Sequence, residues 1–368
     1  MKILVKLGEL FNAEKLIPID SAHISGVSYK TLGDAPIEFL RALSDSKAKV
    51  KVRTTINPQS LDPKYLGRKL PTRLRDPQLD ILKQFNKMGT TPSLTCTPYY
   101  IRRPRRGVHL AWAESSADVY TNSVLGAWTN REGGPSALAA AIIGRTPNCG
   151  MHKPENRESD ILVNVEKPLT SETEFGALGI LLGKELRDEV PAIQGLEDAS
   201  NDELKQFSAG LGTAGMTSMF NHKKTLKRKG IDEMTVGAKE IGQIIESLST
   251  APTSKPDMVF IGCPHCSLNE VTHIAQQIEG KKVIAGTEFW ICTSPYIAEK
   301  AKKYVSKIEA TGAHVLAGVC TVVSWTEILG IKIIMTNSAK TAYYAPTLNK
   351  AQTILAPLKN CLTAAFKG

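Results

Sequence analysis

Apolar and polar positions follow two rhythms along this chain, and each rhythm predicts a kind of element. Residues 49–56 (KVKVRTTI) are rich in β-branched side chains and predict a strand. Residues 77–88 carry Leu79, Ile81, Leu82 and Phe85 at helical spacing and predict a helix. Residues 93–96 read as a short strand that runs into the loop TPYYIRRPRRG. Further on, residues 257–262 (DMVFIG) predict a strand, 268–278 a helix, and 282–285 (KVIA) another strand. Residues 295–311 predict a helix that Gly312 ends, and 314–320 and 331–336 predict two more strands. Strands alternating with helices of this length indicate βαβ units and largely parallel sheets, so the fold class is α/β.

The pattern is less regular over residues 144–206, which are expected to join two α/β units. Residues 250–256 (TAPTSKP) read as a linker, and 222–229 (HKKTLKRK) as a basic surface segment. The expected units are 1–95, 96–250 and 251–368. Composition changes this picture little. The 368 residues are 42% hydrophobic and 22% charged, which excludes a mostly disordered chain. No apolar run approaches the roughly 18 residues of a membrane span. In MKILVKLGELFN, Lys6 interrupts the apolar start, so no signal peptide is expected and a cytoplasmic location is the default. The net charge of +10 favours a polyanionic partner or an anionic substrate without choosing between them.

The candidate chemistry lies where the predicted strands end. In open α/β sheets, ligands bind beyond the carboxyl ends of the strands. Those ends supply Asn57-Pro58, Cys96, Cys263-Pro264-His265-Cys266, Cys320, and Asn337 to Lys340. Seven cysteines, an odd number in a large chain, do not suggest a disulfide framework. Three readings of the thiols stand side by side: buried core cysteines, zinc at CPHC without a second Cys-x-x-Cys pair, or a thiolate-lined iron–sulfur site with one open iron. Residues 109–157 are the densest polar segment, with Glu114, Ser115, Asn122, Ser123, Asn130, Arg131 and Glu132 among small residues. There Ser136 is expected to cap a helix over 137–143 whose amino end faces an anion. The run Arg102-Arg103-Pro104-Arg105-Arg106 reads as a solvated face, because no aromatic interleaving or nucleic-acid-binding spacing accompanies it. A basic nucleic-acid-binding or scaffolding protein without a cluster remains the reading outside enzymes.

Six segments carry a resemblance: AHISGVSY (22–29), LTCTPYY (94–100), AWAESSA (111–117), TNREGGPSALAAAIIGRTP (129–147), GCPHCSLNE (262–270) and TNSAKTAYYAP (336–346). Together they resemble the aconitase X family from about residue 2 to residue 361. The resemblance implies an aconitase-like arrangement of several α/β units around a central [4Fe-4S] cluster held by Cys96, Cys263 and Cys320. Cys266 is the neighbour that competes with Cys263, and Cys149, Cys292 and Cys361 are left as structural thiols. Substrate contacts implied by the same motifs are Gly26, Val27, Ser28, Asn57, Pro58, Glu114, Ser115 and Lys340, with Glu114 and Ser115 nearest the chemistry.

The implied activity is that of an iron–sulfur hydro-lyase of the mevalonate pathway. It dehydrates (R)-5-phosphomevalonate to trans-anhydromevalonate 5-phosphate, with cis-3-hydroxy-L-proline or a related hydroxy acid as the alternative substrate. The base in this family resembles a serine of a smaller, swivelling domain, which is not expected within this chain. A small partner subunit, forming a heterodimer, is therefore expected to supply it. The chain departs from the family pattern at Trp128, where an arginine is expected, and at Gly318, where an acidic residue is usual.

Overall fold

Short apolar and β-branched runs form three parallel sheets in the computed structural model, which describes residues 1–62, 64–222, 230–253 and 255–367. In the first sheet, Ser21–Ile24 lies between Arg53–Ile56 and Leu110–Trp112, parallel to both. The second has five parallel strands in the order His314–Ala317, Glu288–Thr293, Met258–Cys266, Ile333–Thr336 and Gln352–Leu355. All nine residues of its middle strand, Met258–Cys266, are buried, as a parallel strand covered on both faces requires. The third sheet runs Pro191–Gln194, Ile161–Val165, Asp232–Val236. Among the described residues no helix is long and apolar enough to cross a membrane.

Several predicted elements appear with little change. The helix Leu268–Gln277 starts where expected, and Ser267 accepts a hydrogen bond from the Glu270 amide at its head. The strands Ile333–Thr336 and His314–Ala317 are shorter forms of those predicted. Others need correction. Residues 49–52 are not in the strand: the Val50 and Lys51 amides donate instead to the carbonyls of Met88 and Ala141. The helix expected over 77–88 begins earlier and spans Thr72–Lys87 with Pro77 inside it.

Residues 93–96 are not a strand, because Leu94 takes φ 45° and breaks the extended run. Lys282–Val283 forms only a two-residue antiparallel pair at the C-terminal end, and the sheet strand is Glu288–Thr293. The single helix expected over 295–311 is two, Pro295–Lys300 and Lys302–Glu309, meeting at Ala301. Residues 144–206 are also more regular than predicted. They hold Ile161–Val165, Glu172–Leu186, Pro191–Gln194 and the start of Asn201–Ala214, the framework of the third sheet. Of the basic run 222–229, residues 223–229 lie outside the described residues.

Two of the sheets meet end to end. The amide of Gln59, beyond Arg53–Ile56, donates to the Gly318 carbonyl, and the Cys320 amide donates back to Gln59 O at 3.1 Å. Ser28 Oγ, beyond Ser21–Ile24, donates to Val323 O at 3.0 Å. The carboxyl ends of the first sheet therefore face those of the five-stranded sheet, and the candidate site residues gather at that junction.

Candidate functional site

From the first sheet come Gly26 to Ser28, Asn57-Pro58 and Glu114-Ser115, each just beyond a strand. From the five-stranded sheet come Cys263, Cys320 and Lys340. Lys340 is the second residue of the helix Ala339–Leu348, whose first turn Ser338 caps through its hydroxyl. Its Nζ lies 2.6 Å from Glu114 Oε1 and so bridges the two sheets. Asn57 Nδ2 donates to Glu114 Oε2 at 2.7 Å, and Ser116 Oγ donates to Oε1 at 2.9 Å.

These partners decide the charge of Glu114. Burial alone pushes a carboxyl up, but the Lys340 charge and the donated hydrogen bonds outweigh it and bring Glu114 down to about 2. Lys340 is held above its ordinary value, because the Glu114 charge more than offsets the cost of burial. The residues are thus an ammonium and a carboxylate across the working pH range.

His23 orients Asn57. Its Nε2 lies 2.6 Å from Asn57 Oδ1, and its Nδ1 lies 2.7 Å from Thr55 Oγ1. Burial lowers His23 to about 4, so the ring is neutral at pH 7. A neutral ring with Nε2–H donating leaves the Asn57 amide hydrogens for Glu114. Gly26, with φ +78°, turns the chain beyond Ser21–Ile24, and Ser28 and Pro58 are buried beside the junction. Ser115 opens the helix Ser115–Tyr120, with Glu114 as the residue before its first turn.

Cys96, Cys263 and Cys320 share one neighbourhood. Burial raises the Cys96 thiol well above its ordinary value, and the nearby Glu114, Cys263 and Cys320 raise it further. Cys320 is pushed up to about 12 by burial and by Cys263, with the Lys340 charge acting the other way. Cys266 belongs to a different neighbourhood. Its thiol is raised by burial and by Glu270, opposed by Lys205, and it packs in the apolar cluster with Val271 and Ile274.

The backbone around Cys263 explains how it leaves the strand. Residues 262–265 face Cys292 alone, since Ile261 pairs with Ile291 and Cys266 with Thr293. Gly262 has φ +111°, and a Cβ there would lie 2.2 Å from Cys292 O, so only glycine fits this bulge. His265 closes it: its amide donates to Cys96 Sγ at 3.2 Å, and its Nε2 lies 2.8 Å from Val319 O.

Ser136 is not the cap expected of it. The helix is Gly134–Ile143, Gly133 precedes it, and Ser136 Oγ accepts from the Gly133 amide at 3.0 Å within the first turn. Two residues near the site, His23 and Asp118, were not singled out from the sequence, and His265 was named there only as part of the strand end beside Cys263. Asp118 is fully buried, and neither of its carboxyl oxygens has a hydrogen-bond partner among the described residues. Burial holds it well above the carboxylate range, with Arg131 opposing. The only available signal was position, since His23 lies two residues before Ser25-Gly26 and Asp118 four after Glu114.

The chain matches all three domains defined for one family: the aconitase X first domain over residues 1–155, the second over 159–246 and the third over 256–367. It is 41% identical to the phosphomevalonate dehydratase large subunit of Methanocaldococcus jannaschii, over 98% of this chain and 94% of that protein. The chain belongs to the aconitase X family. A solved aconitase X from Thermococcus kodakaraensis, in its holo-form, superposes with a TM-score of 0.91 at 37% identity, covering 99% of this chain and 94% of that one. A cis-3-hydroxy-L-proline dehydratase of Pseudomonas aeruginosa is more distant, at 31% identity over 100% of this chain but 67% of its own length.

The two positions expected to depart from the family pattern, Trp128 and Gly318, each have a structural setting. Trp128 lies outside the junction, where its amide donates to Val108 O and its ring stacks under the Arg157 guanidinium at 4.6 Å. Gly318 has φ +80°, and a Cβ there would meet Leu94 Cβ at 2.8 Å. An acidic side chain has no room at that position in this chain.

Proposed function

We propose that this chain is the large, catalytic subunit of an iron–sulfur hydro-lyase that removes water from (R)-5-phosphomevalonate to give trans-anhydromevalonate 5-phosphate. The observation that carries the reading is the Glu114–Lys340 pair, held where two sheets meet and within electrostatic reach of Cys96 and Cys263. The relatives named phosphomevalonate dehydratase large subunit support the substrate, since they match this chain at 37–41% identity over nearly its full length.

The donor set suits an iron–sulfur cluster. Cys96, Cys263 and Cys320 are free thiols, two of them buried and Cys320 half-buried. The His265 amide and the Lys340 charge both favour thiolate over thiol. Among the described residues no three His, Cys, Asp or Glu side chains converge to hold one metal ion. Thiolates that each bind a different iron of a cluster do not need that convergence. A [4Fe-4S] cluster on these three cysteines supplies, when bound, one iron without a protein ligand that acts as a Lewis acid toward the departing hydroxyl.

The chain's own residues bind and orient. Lys340 offers a compact positive charge to an anionic end of the substrate. The backbone at Gly26 to Ser28 lets an oxyanion approach closely. Glu114, ionised at neutral pH, accepts a hydrogen bond from the C3 hydroxyl and fixes its direction, with Asn57 and Ser115 beside it. In the reaction the C2–H bond breaks, its electron pair forms the C2=C3 bond, and the C3–O bond breaks with its electron pair on the departing oxygen, which leaves as hydroxide and takes a proton from solvent to become water. The base that takes the C2 proton comes from a small partner subunit. The relatives' designation as a large subunit supports a partner of that kind.

The test is to co-express the chain with its small subunit anaerobically and to assay both (R)-5-phosphomevalonate and cis-3-hydroxy-L-proline. Dehydration of the phosphorylated substrate by the pair, and not by the large chain alone, is expected. Turnover of the proline substrate alone, or full activity without the small subunit, overturns the reading.

A further inference from the structure

His265 is positioned to do more than fill the core. Its ring is fully buried, yet Nδ1 has no partner among the described residues, an arrangement that costs free energy and calls for a compensating role. The role is visible in its other two contacts. Its main-chain N–H donates to Cys96 Sγ, which lies in the loop just before Pro98–Tyr100. Its Nε2 reaches Val319 O, the carbonyl immediately before Cys320. It also stands two residues beyond Cys263, at the end of the bulge that Gly262 makes possible. One residue therefore touches the segments that carry all three thiols, which are otherwise far apart in the sequence.

We propose that His265 is the positioning residue of the thiolate site, holding Cys96 and the Cys320 segment in register with Cys263. This rests on the cluster reading given above. A carbonyl accepts only from a protonated ring nitrogen, so the Val319 bond fixes the Nε2–H tautomer and the ring plane. The fixed ring holds the His265 backbone in turn, and with it the N–H aimed at Cys96 Sγ. A hydrogen bond to a ligating sulfur draws electron density from it, one of the ways a protein sets a cluster's potential. His265 touches no substrate and acts through the cysteines.

The test compares H265Q with H265N and H265L in the complex with the small subunit, purified anaerobically. Glutamine can extend an N–H to the place of Nε2, whereas asparagine is too short and leucine has no donor. Iron and acid-labile sulfide, the electron paramagnetic resonance spectrum and the rate of cluster loss in air are read for each. H265Q is expected to keep wild-type iron and sulfide and a wild-type spectrum. H265N and H265L are expected to hold several-fold less iron, or to lose it several-fold faster with an altered spectrum.

If H265L does not fold, the comparison of H265Q with H265N decides, because both carry an amide and differ in reach. Equal loading, spectrum and loss rate in these two variants overturn the proposal. Wild-type protein that binds no iron or sulfide even after reconstitution instead overturns the cluster reading itself, so the two failures are distinguishable.

Discussion

Lys340 Nζ sits 2.6 Å from Glu114 Oε1 and joins the ends of two sheets whose residues are 226 positions apart in sequence. Both side chains are largely buried, at 16% and 10% exposure, so neither charge is well solvated without the other. Removing one partner of such a pair costs about 3–5 kcal/mol, because the other is left buried and unpaired. E114Q and K340M are each expected to lose stability on that scale in urea unfolding. The double variant E114Q/K340M is expected to lose much less than the sum of the two. Simple additivity would show that the two charges do not depend on each other. In activity, E114Q is expected to fall by about 100-fold or more in the assembled enzyme.

The same pair gives the protein a pH signature. Glu114 stands at about 2 in the folded chain against an ordinary 4.5. Its folded value is depressed, so its stabilisation is present above about 4.5 and is lost as pH falls toward 2. A shift of this size is worth on the order of 3 kcal/mol. Melting temperatures of the wild type and E114Q at pH 7, 4.5, 3.5 and 2.5 test this. The wild type is expected to lose its advantage between pH 4.5 and 2.5, and a constant gap across the series would refute the assignment.

Much of the scaffold of this site was legible from the chain alone, and the failures have physical causes. The helix Leu268–Gln277 shows clear periodicity and capping, and the strands Met258–Cys266 and Ile333–Thr336 begin in the apolar, β-branched runs DMVFIG and IKIIMT, so they were found. Ser21–Ile24 and Leu110–Trp112 were missed because SAHI carries one β-branched residue and LAW none, so neither stands out as a strand. The β-branched KVIA drew the strand assignment away from Glu288–Thr293, which carries its burial through Phe289, Trp290 and Ile291. In the site, Asn57 and Lys340 were legible as polar residues beyond strands, and Glu114 as part of the densest polar segment. Cys96 reached the junction although the strand expected before it does not form. The roles of His23 and His265 were not legible, since they rest on contacts such as His265 with Val319, 54 residues apart.

The cysteines separate into two neighbourhoods, and the separation makes an expectation. Cys96, Cys263 and Cys320 act on one another, while Cys266 lies against Lys205 and Glu270. Lys205 is fully buried and forms ion pairs with Glu270 and Asp202, so that side of the strand is already filled by a structural network. C96S, C263S and C320S are each expected to lose most of the iron and sulfide after anaerobic reconstitution. C266S is expected to keep both, with a stability loss of about 1 kcal/mol from the altered packing of a small buried side chain. Loss of iron in C266S with retention in C263S would exchange the two residues.

Gly318 and Leu94 meet where the Cys320 and Cys96 segments pack together, and both have positive φ, +80° and 45°. A Cβ at position 318 would sit 2.8 Å from Leu94 Cβ and 3.3 Å from Pro295 Cγ, so strain and collision act together. Alanine in a left-handed conformation costs about 1–2 kcal/mol before any clash is counted. G318A is therefore expected to be destabilised by at least about 2 kcal/mol in urea unfolding. Because the Gly318 carbonyl accepts from Gln59 and the Cys320 amide donates back to it, relaxing the clash moves the cysteine itself. G318A and G318D are expected to bind less iron than the wild type even at temperatures where both remain folded. The companion variant L94G relieves the left-handed strain at the other side of the contact, and G318A/L94G is expected to recover part of the iron. Full iron content in G318D would mean that the loop accommodates an acidic residue by a path this packing does not offer.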